Sequence, residues 1–390
     1  MRRRLLYAAL YFSEGAPIGF LWWALPTKLR GAGVAVEDIA ALTSILALPW
    51  ALKFVWAPLV DTLRSSRWGL RAWITASQLA MGAALLPLLW LDFERQFSAV
   101  YLLLIAHAFA AATQDVAVDA LCIGSIPERE RGSTNGWMQA GMLAGRSLFG
   151  GGFLLLESRI GFGPVLIGLI ACVWATLIAL LMSRVEEPGP SPARAVARAL
   201  WAAVRTGRAW LGLAFAAVGG AAYEGAAAVA GPFLRDHGVS QDGVGKFFLA
   251  PAVIGMVGGA LAGGWLADRT GAPRVVTASL IAVASIVAAL SGLDNAGVGA
   301  NASLAAFSIL YVAIGVFTAS SYALFMELAD GPARATMFSA FMGMTNLCEM
   351  WASRTVGELH PHGGYALGFA AVAAASFASV LLVRRFTAYE

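Results

Sequence analysis

The sequence predicts an all-α membrane protein of twelve transmembrane helices, arranged as two pseudo-symmetric six-helix bundles. Three observations lead there. Hydrophobic residues make up 59% of the chain and charged residues 13%, whereas a soluble domain has roughly a quarter of its residues charged. Too few polar side chains remain to cover a water-facing exterior for 390 residues. The apolar residues fall in long uninterrupted runs of about 20, the length a helix needs to cross the hydrocarbon, and lack the short alternating pattern of a barrel. Finally, short motifs of the first half recur in the second.

Taken in order, the spans are predicted at 5–29, 37–60, 70–91, 97–124, 133–157, 163–184, 208–233, 241–267, 273–293, 302–327, 333–357 and 362–385. Arg2-Arg3-Arg4 precedes an apolar run that continues through Trp22 and Trp23 with no small-residue cleavage site, so it reads as a first span and not as a signal peptide. Lys and Arg orient the spans, since positive charge concentrates on the cytoplasmic side. The side bearing Met1 carries eighteen of them and the opposite side six, with Lys53, Arg146 and Arg354 inside spans. Both termini are therefore expected in the cytoplasm. The longest connection divides the chain into an N-terminal bundle (1–184), a linker (185–207) and a C-terminal bundle (208–390). Within the linker, Glu186-Glu187-Pro188-Gly189-Pro190 breaks any helix, and 193–205 has the pattern of a basic amphipathic surface helix.

The repeat is read from matching segments. Ser13-Glu14-Gly15-Ala16 in span 1 returns as Tyr223-Glu224-Gly225-Ala226 in span 7. Pro26, Leu29-Arg30 and Gly33-Val34 return as Pro232, Leu234-Arg235 and Gly238-Val239, each set followed by an acid, Asp38 or Asp242.

After span 8 the sequence reads Gly264-Trp265-Leu266-Ala267-Asp268-Arg269-Thr270-Gly271, which resembles the G-x-L-A-D-R-x-G loop motif of the major facilitator superfamily. That resemblance implies alternating access, with Asp268 and Arg269 in a latch: a carboxylate held at the positive end of a helix dipole. A simple helix-end charge is the plainer reading. The first-half counterpart, Pro58-Leu59-Val60-Asp61, departs from the motif but assigns Asp61, with Lys53, to the same gating role. Lys53-Phe54-Val55-Trp56-Ala57-Pro58, Ala112-Thr113-Gln114-Asp115-Val116-Ala117-Val118-Asp119 and Pro127-Glu128-Arg129-Glu130-Arg131-Gly132 resemble the AmpG-type muropeptide permease branch, which also resembles acetyl-CoA transporters. Glu14-Gly15-Ala16-Pro17 and Ala47-Leu48-Pro49-Trp50 are similar to siderophore importers of the rhizobactin and pyochelin type. The resemblance covers chiefly the first 150 residues. It implies a proton-coupled importer in a bacterial inner membrane, carrying a small solute such as an anhydro-muropeptide. A siderophore importer and a proton-driven drug or metabolite exporter are the alternatives.

Ionisable groups inside the bilayer cost about 2.5–3.5 kcal/mol each even on lenient scales, so they mark function. The acids fall mainly on spans 1, 4, 7 and 10, the cavity-lining helices in the fold the resemblance implies. Glu14 lies about ten residues into span 1, or about 15 Å, near the midplane, and Glu224 is its repeat mate. Desolvation favours the neutral form of such an acid unless a cation is near, which suits it to proton coupling, substrate contact or a structural hydrogen bond. Asp115 and Asp119 share a face of span 4 with Gln114 beside them, and one must stay protonated or a cation must intervene. Arg146 and Lys53 are the candidate cations, for either a partner-switching network or a fixed brace. His107 reads as a proton relay or as a satisfied buried histidine. Glu349 and Arg354 on span 11 are five apart, a poor fit for a same-face pair, so partners on different helices are expected; only if span 11 lines the cavity does Arg354 meet an anionic substrate group.

Gly141-x-x-x-Gly145 and Gly255-x-x-x-Gly259-x-x-x-Gly263 predict close helix approach, either between spans 5 and 8 or within each half. Trp22, Trp23, Trp56, Trp90 and Trp137 suit interfacial anchoring, with Trp22 and Trp23 also placed to line a cavity. Cys122, Cys172 and Cys348 have no disulfide or metal spacing. No phosphate-binding loop of the G-x-x-x-x-G-K-[ST] type occurs, nor any nucleophile or metal motif. ATP hydrolysis, an enzyme, a cofactor and nucleic-acid binding are accordingly not expected. The expected partners are lipid and a small-molecule substrate, the energy source a proton gradient, and the working unit a monomer.

Overall fold

The computed structural model describes residues 2–65, 67–92, 95–126, 128–183, 185–187, 189, 198, 201, 205, 207–328 and 334–387. Among these the chain is helical throughout, with no strand. In order the helices are α1 (Arg2–Gly19), a π-helical turn (Phe20–Ala24), α2 (Leu25–Gly31), α3 (Val36–Thr62), α4 (Leu70–Leu85), α5 (Phe97–Ser125), α6 (Glu128–Ile160) and α7 (Phe162–Met182). Then come α8 (Gly207–Val218), α9 (Ala221–Ala228), α10 (Ala230–Asp236), α11 (Gln241–Leu249), α12 (Pro251–Thr270), α13 (Ala272–Asn295), α14 (Ala300–Leu328) and α15 (Arg334–Thr387).

Packing divides the chain into two units. The first holds Met1–Leu25 and Leu52–Val196. Its axis is the pairing of α1 with α6, with α4 against α5 and α7. Glycine makes that pairing possible: a β-carbon on Gly141 would come within 2.0 Å of the Ala8 carbonyl oxygen, and one on Gly15 within 2.1 Å of the Met142 carbonyl oxygen. The backbones thus touch directly, as small-residue seams in lipid permit. Beside the seam, Leu6, Tyr7, Leu10 and Tyr11 of α1 are buried with Val60, Ile74, Val118 and Leu121.

The second unit holds Pro26–Ala51 and Ala197–Glu390. It contains the pairs α12–α14 and α13–α15, and α15 also covers α8 and α9. Gly259 and Gly263 meet the Val312 and Val316 carbonyl oxygens, at 2.0 and 2.6 Å from a built β-carbon. Both glycine spacings therefore seat helices of their own unit, and the alternative pairing of span 5 with span 8 is not what these glycines serve. The placement of Pro26–Ala51 differs from the boundary at 184 read from the sequence. The cause is local: Ser44 Oγ donates to the Met350 carbonyl at 2.7 Å, and Gly231 and Gly357 leave room for Thr27 and Ala40.

Nine helical stretches among the described residues are long and apolar enough to cross a membrane. The last, Met337–Arg385, breaks at Gly363 and Gly364, whose φ of 62° lies in the left-handed region that favours glycine. The predicted spans 1 and 5 are helical, in α1–α2 and α6, but are not among the nine. Large apolar residues are strongly exposed on the helices, for example Leu102 at 67%, Ile254 at 69% and Leu261 at 72%, a surface that suits lipid and not water.

Span 7 is not one helix. Gly219 and Gly220 interrupt it before α9, and Val229 separates α9 from α10. Backbone groups freed inside a membrane need partners, and Ser376 of α15 supplies them: its hydroxyl accepts from the Ala222 N–H at 2.8 Å and donates to the Gly219 carbonyl at 3.0 Å. Span 1 is also irregular, since the Leu25 N–H reaches back five residues to the Phe20 carbonyl. That turn buries Trp22 (9% exposed) and Trp23 (3%), so neither is the interfacial anchor expected. Trp90, at 75% exposed, is free of such packing.

Candidate functional site

In the first unit α5 sets Asp115 and Asp119 one helical turn apart, on one face. Lys53 of α3 donates to Asp115, and Tyr11 of α1 donates to Asp119. The Lys53 and Asp115 side chains keep only 17% and 7% of their surface exposed. Glu14, 2% exposed and one turn along α1 from Tyr11, acts electrostatically on both Tyr11 and Lys53. Lys53 thus bonds Asp115 and is also acted on by Asp119 and Glu14. Alongside runs a neutral network: Gln78 donates to Ser13 and Thr176, both at 3.0 Å, and Gln114 donates to Ser13 at 3.3 Å.

Of the two cations considered for the aspartates, Lys53 is the one that bonds. Arg146 instead lies over the Trp23 ring, 5.1 Å from its centroid. His107 is fully buried, with Nδ1 3.0 Å from the Met81 carbonyl; it braces α5 against α4. Tyr11 escaped the sequence reading because a tyrosine in an apolar run carries no charge signal. Its spacing of three from Glu14 was the available clue.

The second unit holds a small recess, with room for about one water molecule, between α8, α9, α14 and α15. Glu224 and Tyr223 of α9 enter it beside Gly220, where span 7 is broken. Phe215, Phe317, Tyr322 and Phe325 supply the aromatic walls, and Thr318, Ser321, Thr345 and Cys348 the small polar ones. Tyr223 hydrogen-bonds Glu224, and Glu224 and Glu349 both act electrostatically on Cys348. Broken helices recur at binding sites in transporters, and the Gly219-Gly220 pair marks the break here.

A second charged cluster in the same unit sits where α2, α10, α13 and α15 end or turn. Arg30 Nε donates to Asp236 at 2.7 Å, Tyr365 Oη donates to Asp236 at 2.7 Å, and His237 Nε2 lies 3.2 Å from Asp294. Asp294 also accepts from the Ala366 N–H at 2.8 Å, capping the helix that restarts after Gly364. The sequence repeat is visible here. The Val34 and Val239 N–H groups bond back to Leu29 and Leu234 across Gly33 (φ 90°) and Gly238 (φ 83°), and Arg30 and Arg235 each donate to the valine carbonyl of their own turn.

Arg354 does not find a partner on another helix as expected: it pairs with Glu358 at 2.6 Å, one turn away, with both side chains more than half exposed. Arg269 stacks on Trp265 at 4.0 Å, and the latch motif is helical through Thr270, with only Gly271 before α13, so it is a helix end and not a loop. The side chain of Asp61 and most of 193–205 lie outside the described residues. Among the described residues no cluster of His, Cys, Asp and Glu could hold a metal ion.

Comparison with known proteins gives these observations a family. The Haemophilus influenzae "Uncharacterized protein" is 34% identical over 135 residues, and the Rickettsia felis "Putative transporter AmpG 4" is 30% identical over 154 residues. These matches take in 34% and 38% of the chain but only 32% and 36% of the relatives' own length. The Escherichia coli K12 "Anhydromuropeptide permease" is 26% identical over 405 aligned positions, covering 98% of the chain and 79% of the relative. The crystal structure of the D-xylose-proton symporter has a TM-score of 0.77 at 10% identity, covering 98% of this chain and 96% of that one. The nucleoside transporter NupG has a TM-score of 0.73 at 15% identity, covering 99% of each. Residues 5–353 match the Major Facilitator Superfamily model. The chain is thus a multi-pass membrane transporter and not an enzyme, and it belongs to the Major Facilitator Superfamily.

Proposed function

We propose that this transporter is a proton-coupled importer of a peptide–sugar of the anhydro-muropeptide class, working by alternating access in a bacterial inner membrane. The observation that carries the coupling is the unequal treatment of two adjacent carboxylates. Lys53 bonds Asp115, whereas Asp119 receives the neutral Tyr11 hydroxyl. Lys53 acts on Asp119 without bonding it, so a proton is the counter-charge that can sit on Asp119 itself, and its arrival or departure changes the net charge around Lys53, Glu14 and Asp115. The solute reading is supported by the relative that matches 98% of the chain; the siderophore reading rests on first-half segments alone. Twelve crossings follow if α1–α2 and α6 each cross once and α15 twice, with both termini cytoplasmic. In that frame Asp268 and Arg269 form the cytoplasmic latch, and the monomer is the working unit.

The test is uptake into vesicles under an imposed proton gradient. Labelled anhydro-muropeptide should accumulate and leak out when the gradient is collapsed, and Asp119→Asn should abolish accumulation while keeping solute exchange. Full accumulation by Asp119→Asn would remove the proton from this site. Accumulation without any gradient would remove coupling altogether, and gradient-driven loss of solute would make the protein an exporter.

A further inference from the structure

We infer that His237 and Asp294 form a proton-binding site, separate from the one at Asp119, whose proton clasps three helix ends of the second unit together. The argument begins with the two nitrogens of one ring. His237 Nδ1 lies 2.8 Å from the Phe233 carbonyl oxygen, and a carbonyl can only accept, so Nδ1 carries a hydrogen. A neutral imidazole has a single N–H, which leaves Nε2 bare, and Nε2 lies 3.2 Å from a carboxylate oxygen of Asp294. Without a further proton, two lone pairs face each other there. With it, the same two atoms attract. Imidazole is more basic than a carboxylate, so the proton belongs on the ring and sets an imidazolium against Asp294.

The ring is held in this pose. It lies on Phe233, with centroids 3.9 Å apart and planes 15° from parallel, and the His237 and Asp294 side chains keep only 9% and 16% of their surface exposed. The nearby arginines are engaged elsewhere: Arg30 donates to Asp236, and Arg235 to the Val239 carbonyl. His360 of α15 faces Glu37 of α3 at 3.8 Å, and its ring lies edge-on to Tyr365, which donates to Asp236. Asp242 opens α11, next along the chain. His237 is the group set against Asp294. The second oxygen of Asp294 accepts from the Ala366 N–H at 2.8 Å, where α15 restarts after Gly364. Asp294 itself lies in the last turn of α13, and His237 directly follows α10. Loss of the proton makes the ring repel the carboxylate and draws the cap away from Ala366. In the topology proposed above this end faces away from the cytoplasm. The clasp there answers to external pH, closed in acid and released as pH rises through the range of about 5 to 8 in which histidine changes charge.

The experiment follows purified full-length protein in detergent by hydrogen exchange at about pH 6 and about pH 8.5, either side of most histidine titration, with each rate divided by the intrinsic rate at that pH. Peptides containing Ala366 should lose protection at least about tenfold at the higher pH, the scale of losing a charge-assisted hydrogen bond. His237→Gln offers an N–H that needs no added proton, so its protection should be the same at both pH values. His360→Gln leaves the pair intact and should respond as wild type does. Wild-type protection that ignores pH overturns the site without any variant having to fold. So does a folded His237→Gln protein with the full wild-type response, and so does loss of the response in His360→Gln, which would move the proton to the Glu37 contact. None of these measurements uses the solute or a gradient, so failure here leaves import and the role of Asp119 standing.

Discussion

Lys53 and Asp115 are 62 positions apart in the chain and meet with little exposed surface. Breaking such a pair from one side leaves a charge stranded, which costs about 3–5 kcal/mol, whereas replacing both members is often neutral. Lys53→Met should therefore lower the unfolding temperature in detergent sharply, and Lys53→Met combined with Asp115→Asn should recover most of the loss. Equal losses in single and double variants would mean that the ion pair is not what holds α3 to α5. The charged members of this cluster were legible in the sequence, because an acid in an apolar run stands out by its cost. Their partners were not. Arg146, the nearer in sequence, stood ahead of Lys53 until helix rotation was known, and Tyr11 had no charge to announce it. The Arg30–Asp236–Tyr365 contacts were hidden for a related reason: they join positions 206 and 129 apart, at ends where no periodicity speaks.

Helices in lipid gain little from hiding apolar surface, so their pairing depends on how closely backbones approach. At Gly145 a β-carbon would lie 2.5 Å from the Phe12 carbonyl oxygen and 2.7 Å from the Ala16 nitrogen, whereas at Gly168 it would meet nothing within 4 Å. Gly145→Leu should cost at least about 1–3 kcal/mol, the usual scale of overpacking, and Gly168→Ala should be nearly silent. Comparable melting temperatures for the two would refute the seam. Glycine spacing announced close contact but could not name the partner, because i, i+4 periodicity describes one helix face and nothing across from it. The breaks in span 7 were harder still to foresee. Adjacent glycines also serve close packing, so Gly219-Gly220 did not by itself announce a break, and the serine that makes the break affordable lies 157 residues on.

At the scale of the whole molecule, Pro26–Ala51 is continuous with α1 and the far half of α3 yet packs within the second unit. Under the alternating access proposed above, opening this end parts the Arg30–Asp236 and Ser44–Met350 contacts, which lie inside that unit. Replacing Arg30→Cys and Asp236→Cys and oxidising the pair should stop uptake, and a reductant should restore it; uptake that survives the cross-link would mean this end does not part. An all-helical membrane fold was readable from composition and run length alone. The division of the chain was not, because connectivity and packing disagree over these twenty-six residues. The π-helical turn at Phe20–Ala24 carries a related consequence for the repeat. Twelve residues separate Glu14 from Pro26, but only eight separate Glu224 from Pro232. Four residues of helix amount to about 6 Å of rise, so each acid keeps its own depth when measured from its own proline. The matching segments have thus drifted out of step along their first helix, and what one acid does is no guide to the duty of its twin.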